Sequence, residues 1–236
     1  KKRLQNGGLV IMDGGTGTEM QRRGVGMDPA AWCGPATLQN AKILEDIHLE
    51  YISSGANIIT SNTYASSHLM LEPAGFGDRW EEINTAAVSV AFRAREKSGR
   101  DDILIAGSLS HMCPMVPGTG QPDPNHRPSK SKMSSAFLDL AFLLKDQGCD
   151  FLLLEMLYDP EAIPLIIEAA VQTGLPVWAG FSVRRDAEKN IIGFATQPDM
   201  LFQDIVQGLD EYDIAVAGIM HSSCDLISDA IDILRK

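Results

Sequence analysis

Four short stretches of the chain carry side chains able to do chemistry. The first is Asp13-Gly14-Gly15-Thr16-Gly17-Thr18-Glu19. Its glycines allow a tight turn and a close approach of backbone to ligand. Backbone N–H groups in such a turn, with a helix starting behind it, can hold an anion. The third glycine and the ribose-binding acid of a dinucleotide fingerprint are not in place. The second stretch, Thr60-Ser61-Asn62-Thr63-Tyr64, offers uncharged groups that can orient a small ligand or cap a turn. The third is Glu155, a carboxylate closing the otherwise apolar run of residues 151–154. The fourth is His221, with Cys224 three residues on. A neutral imidazole is a common metal ligand, although this spacing alone leaves a metal and a plain structural histidine both open.

Each stretch follows a short apolar run, and those runs alternate with helical spacing. Strands are expected at residues 9–12, 57–60, 103–106, 151–154, 177–181 and 214–219. Between them, helices are expected near residues 43–52, 80–97, 132–147, 160–173, 200–209 and 226–234, several ending at a glycine such as Gly55, Gly99, Gly148 or Gly174. Six strand–helix units in alternation demand a parallel sheet with helices outside it. Every strand ends in a polar residue: Asp13, Asn62, Ser108, Glu155, Ser182 and His221. An open doubly wound sheet gathers function at one switch point, whereas a TIM barrel rings it around the strand ends. The pattern therefore points to an α/β chain of the TIM (β/α)8 barrel class with about six units present. Residues 1–236 read as one domain. Two further units of about 30 residues each would complete eight, so the intact protein is expected to be longer. Residues 112–130, rich in Pro, Gly and Ser, read as a long loop after the third strand.

Composition narrows the partners. The net charge is −11, from 20 Lys and Arg against 31 Asp and Glu. Such a surface is a poor match for nucleic acid or an anionic membrane. No apolar run approaches a membrane-spanning length. The 4 cysteines are scattered, with no Cys-x-x-Cys pair, so a reducing, cytoplasmic setting is expected rather than a disulfide framework.

Taken together, the stretches resemble the homocysteine S-methyltransferase family. The resemblance is carried by residues 12–19 with Arg22-Arg23-Gly24, by residues 47–52 with 55–64, and by Ala106-Gly107-Ser108-Leu109, residues 148–155, Phe181-Ser182-Val183 and Gly218-Ile219. It implies a barrel that transfers a methyl group from a sulfonium or ammonium donor to a zinc-activated homocysteine thiol, giving methionine. It further implies that Asp13 and Glu155 bind the homocysteine amino group, that Gly14, Gly15 and Thr16 lie near its carboxylate, and that Asn62 and Tyr64 line the pocket. The family's zinc has three sulfur ligands, one in Gly-[Ile/Val]-Asn-Cys and two in Gly-Gly-Cys-Cys. Here Met220-His221 stands where Asn-Cys is expected, so the resemblance makes His221 the replacement ligand and places the Cys pair beyond residue 236. The partners implied are a small thiol and a methyl donor, with a homo-oligomer open. Two other readings stay in play: a metal-assisted hydrolase or lyase on the same barrel, and an inactive relative that binds a small amino acid.

Overall fold

The computed structural model describes residues 7–114, 123, 127–196 and 198–235. Most of the long loop expected at 112–130 lies outside them. The chain divides into two compact units, the first formed by residues 1–108 and 143–150, the second by residues 109–142 and 151–236.

In the first unit, helices α1 (Thr16–Arg22) and α2 (Thr37–Ser53) lead to strand β1 (Ile58–Thr60). A short helix α3 (His68–Leu71) and the long α4 (Trp80–Ser98) lead to β2 (Leu104–Ser110), which pairs with β1 in parallel, Ile58 opposite Leu104 and Thr60 opposite Ala106. Helices α2 and α4 pack on each other. Their apolar faces supply Leu44, Ile47, Ile83, Ala87 and Val90, all buried. Glu45 on α2 is buried too, and takes Lys97 at 2.5 Å and Arg93 at 3.2 Å from α4. Gly99 closes α4 in the left-handed conformation, as its position after the last periodic residue predicts.

The strand expected at residues 9–12 forms only a single parallel bridge, Met12 to Ile58. The backbone does run beside β1: Asn57 and Ile58 both donate to the Ile11 carbonyl, and Asp13 N–H donates to the Ile58 carbonyl. Leu9 and Ile11 are 78% and 52% exposed, so the apolar pattern there does not report burial. The bridge still delivers Asp13 to the end of β1.

Helix α5 (Lys130–Asp146) precedes the strands of the second unit. These are β3 (Phe151–Leu157), followed by helix α6 (Ala162–Gln172), and β4 (Val177–Phe181). An antiparallel hairpin follows, β5 (Val183–Arg185) with β6 (Ile191–Gly193), then a short helix α7 (Phe202–Ile205), β7 (Val216–Ile219) and helix α8 (Ile227–Leu234). Strand β4 pairs in parallel with β3 on one side and β7 on the other. The β3–β4 register breaks between Leu154 and Leu157, a bulge that adds one residue to β3 just where Glu155 stands.

The hairpin does not follow from hydrophobic period. Its turn is closed by Asp186, whose carboxylate accepts from Glu188 N–H, Asn190 N–H and the Asn190 side chain. The helix expected over 200–209 shortens to α7, because Gly208 turns left-handed and a single 3-10 turn follows. No described helix is long and apolar enough to cross a membrane.

Candidate functional site

The glycine-rich stretch folds as a turn into α1, with Gly15 as the residue before the helix. Its glycines are fixed by packing. A Cβ on Gly14 would stand 2.8 Å from the Tyr51 hydroxyl, and one on Gly17 would stand 2.6 Å from the Trp32 ring and 2.8 Å from the Cys33 sulfur. Thr16, half-buried, opens the helix.

Asp13 is held from both sides by one residue. The Thr60 amide donates to its Oδ2 at 2.7 Å and the Thr60 hydroxyl donates to its Oδ1 at 2.8 Å. Both partners are neutral. Burial pushes the carboxyl up to about 6, against the lowering effect of those two bonds. Asn62 is buried, and its amide donates to the Cys33 carbonyl and the Thr37 hydroxyl, each at 3.0 Å. It thereby ties the end of β1 to the start of α2. Tyr64 is half-buried and meets the edge of Trp32, with ring centroids 6.1 Å apart. Asp13, Gly14, Gly15, Thr16, Asn62 and Tyr64 all belong to the first unit.

Glu155 and His221 belong to the second unit. Glu155 is half-buried in the β3 bulge, and the residue after it, Met156, has φ 56°. His221 follows β7, has φ 46° and is exposed. Its ring lies edge-to-face on Phe194 at 5.0 Å. Left-handed backbone at two bulky non-glycine residues marks strain held by the surroundings, a feature that clusters at functional sites.

The same unit contains a cavity of about 500 Å³ that sequence reasoning missed, lined by Arg127, Tyr158, Asp159, Glu161, Thr196 and Met200 among others. Arg127 bonds Asp159 at 2.7 Å and Glu161 at 3.0 Å. Beneath it, the buried His111 accepts the Tyr158 N–H at its Nε2 and meets the Tyr158 ring edge-on at 4.5 Å. Burial lowers the His111 pKa and raises that of the Tyr158 phenol, in each case favouring the neutral form. The available signal was Tyr158-Asp159 close behind Glu155, on the loop a strand end must present.

Residues 10–232 match the family model described as homocysteine S-methyltransferase. The chain belongs to the homocysteine S-methyltransferase family. Homocysteine S-methyltransferase 3 of Zea mays is 31% identical over 106 residues, covering 44% of this chain and 31% of that protein. The aligned part thus spans about a third of the maize relative's length. Selenocysteine methyltransferase of Astragalus bisulcatus is 25% identical and covers 98% of this chain and 74% of that protein. The metallated form of the homocysteine methyltransferase MmuM from Escherichia coli superposes with a TM-score of 0.78 at 20% identity, over 99% of this chain and 82% of that one. That likeness shows the fold and bears out the expected α/β barrel class.

A zinc ion, which the resemblance implies, needs a cluster of His, Cys or carboxylate ligands. Among the described residues, no three His, Cys, Asp or Glu side chains are grouped to hold a metal ion. His221 and Cys224 are both exposed at the end of β7. The described residues therefore do not make a metal site by themselves.

Proposed function

We propose that this member of the homocysteine S-methyltransferase family binds homocysteine or a closely similar amino-acid thiol and methylates its sulfur from a sulfonium or ammonium donor. The observation that carries the reading is Asp13. Its carboxylate is desolvated and bonded to two neutral groups of Thr60. A buried carboxylate in that state gains most from a cation, and the α-ammonium of an amino acid is one. The resemblance implies that Glu155 also binds the amino group, that the backbone of Gly14 and Gly15 with Thr16 meets the substrate, and that Asn62 and Tyr64 line the pocket. Asn62 also ties the end of β1 to the Cys33 and Thr37 segment that opens α2.

Methyl transfer needs sulfur and donor methyl held in line, and a free thiol with a pKa near ~8.5 is mostly protonated at neutral pH. The described residues do not by themselves complete a metal site that would activate that thiol. We put His221 forward as one zinc ligand, to be checked by metal content: His221→Ala should lower bound zinc per chain, and His221→Cys should keep it.

The deciding experiment incubates the protein with homocysteine and either S-methylmethionine or betaine, and follows methionine by mass spectrometry. Methionine formation that is lost in Asp13→Asn supports the proposal. Homocysteine binding without methyl transfer from either donor leaves an amino-acid-binding relative. No binding at all rejects the reading.

A further inference from the structure

Strand β1 leaves its partner early, and two side chains take over where its backbone stops. The β1–β2 register places Thr60 opposite Ala106. Along it, Leu104 N–H donates to the Asn57 carbonyl and Ser61 N–H to the Ala106 carbonyl. One rung further, the same parallel pattern would take Ser108 N–H to the Ser61 carbonyl and Thr63 N–H to the Ser108 carbonyl. Neither bond forms, because Thr63 N–H turns back onto the Ser61 carbonyl at 2.8 Å, a three-residue turn centred on Asn62. The hydroxyls of the same two residues fill the rung instead. Ser108 N–H donates to Ser61 Oγ at 3.2 Å, Ser61 Oγ lies 2.8 Å from Thr63 Oγ1, and Thr63 Oγ1 donates to the Ser108 carbonyl at 2.7 Å. A threonine has a single hydroxyl hydrogen, and that of Thr63 goes to Ser108, so Ser61 donates the middle bond. The relay therefore runs one way, from the amide of Ser108 through two hydroxyls to the carbonyl of the same residue.

We propose that Ser61 and Thr63 are positioning residues, whose hydroxyl relay to the Ser108 backbone holds open the turn at Asn62 and so sets the course of the chain into Tyr64. The proposal rests on the reading above that Tyr64 lines the substrate pocket. Ser61, Thr63 and Ser108 are all buried, and a buried carbonyl or amide left bare costs more than the bond it loses. The nearest remedy is the backbone itself. Thr63 N–H can leave Ser61 and take its ladder place on Ser108, which straightens the turn and carries Tyr64 with it. Other contacts tie the same stretch: Asn62 bonds Cys33 and Thr37, and Ser66 bonds the Thr63 carbonyl and Asn84 on α4. None of them reaches the N–H or the carbonyl of Ser108.

The test sets hydroxyl against methyl in the intact protein. Thr63→Val keeps the shape and breaks the relay. Thr63→Ser keeps the relay and loses a methyl group. Ser61→Ala breaks the relay at its other end. The ring resonances of Tyr64 and of Trp32, which it meets, are read by NMR beside KM and kcat for homocysteine. Thr63→Val should shift both rings and raise KM about two- to tenfold, with kcat much less changed. Thr63→Ser should match the parent in all of these. Ser61→Ala should move the rings in the same sense and speed exchange of the Ser108 amide about two- to tenfold, which carries the test if Thr63→Val does not fold. Parent-like Tyr64 signals in Thr63→Val or in Ser61→Ala would overturn the proposal. Shifted rings with an unchanged KM would do the same. So would a Thr63→Ser variant as impaired as Thr63→Val, since the methyl and not the hydroxyl would then matter. If the parent protein methylates no thiol, the functional reading falls, and the NMR arm still decides whether the relay sets Tyr64.

Discussion

Asp13 is asked to do two things that pull against each other. Its folded pKa of about 6 lies above the ordinary 3.8, so the fold holds a proton that the unfolded chain has already released. Its contribution to stability is therefore present below about pH 3.8 and is lost as pH rises through about 6. Ligand binding runs the other way, because only the carboxylate attracts an ammonium. Homocysteine affinity should weaken below about pH 6, and calorimetric titration of Asp13→Asn should show that dependence gone. The same variant should bind about ten- to a hundredfold more weakly at pH 8, for one lost charge-assisted hydrogen bond of about 1.5–3 kcal/mol. It should be no less stable there, since an amide can accept the Thr60 N–H and donate to its hydroxyl without carrying a buried charge. A variant that melts lower and binds equally well would make Asp13 purely structural.

At the scale of the elements, the glycine-rich turn was legible as a turn, but the packing that also demands its glycines was not. The places a Cβ would take on Gly14 and Gly17 are occupied by Tyr51, Trp32 and Cys33. Nothing in a local pattern reveals which distant side chain will occupy a missing Cβ. Gly17→Ala should accordingly destabilise the first unit by about 1–3 kcal/mol through overpacking, measured by chemical denaturation, whereas Gly26→Ala, with open space around it, should cost far less. Helices α2, α4 and α6 were legible because long amphipathic periods with glycine stops are strong signals. The β5–β6 hairpin was not, because three-residue strands carry too little period and its turn depends on Asp186 reaching its neighbours. Likewise Glu155 could be placed at a strand end, but the bulge that sets it apart from the ladder is a matter of register against β4, which sequence does not display.

For the molecule as a whole, acid stability should carry contributions of opposite slope, with His48 and His111 on one side and Asp13 on the other. His48 is fully buried, its ring nitrogens have no hydrogen-bond partner among the described residues, and burial lowers its pKa from 6.5 to about 4. The unfolded chain takes up a proton there before the fold can, so this stability is present above about pH 6.5 and is lost as pH falls towards 4. Between pH 4 and 6 the Asp13 contribution changes in the reverse sense, and the two largely offset each other. Each alone is worth about 1.4 kcal/mol per pH unit at most. Relative to the parent, stability should therefore fall more, or rise less, with pH through this window in His48→Leu, and rise more in Asp13→Asn. Urea midpoints at pH 4.5, 5.5 and 6.5 test both, and parallel profiles for the two variants would refute the offset.

On β4, a Cβ at Gly180 would stand 2.4 Å from the Met220 sulfur, which amounts to a volume exchanged between two positions forty residues apart in the chain. Such positions are free to drift only together over evolutionary time. Any relative that carries a side chain at the position of Gly180 should have a short residue, or a side chain turned elsewhere, at that of Met220. A lineage that enlarged one position first would pass through a clash, so the order of substitutions in its history should be the small residue before the large one.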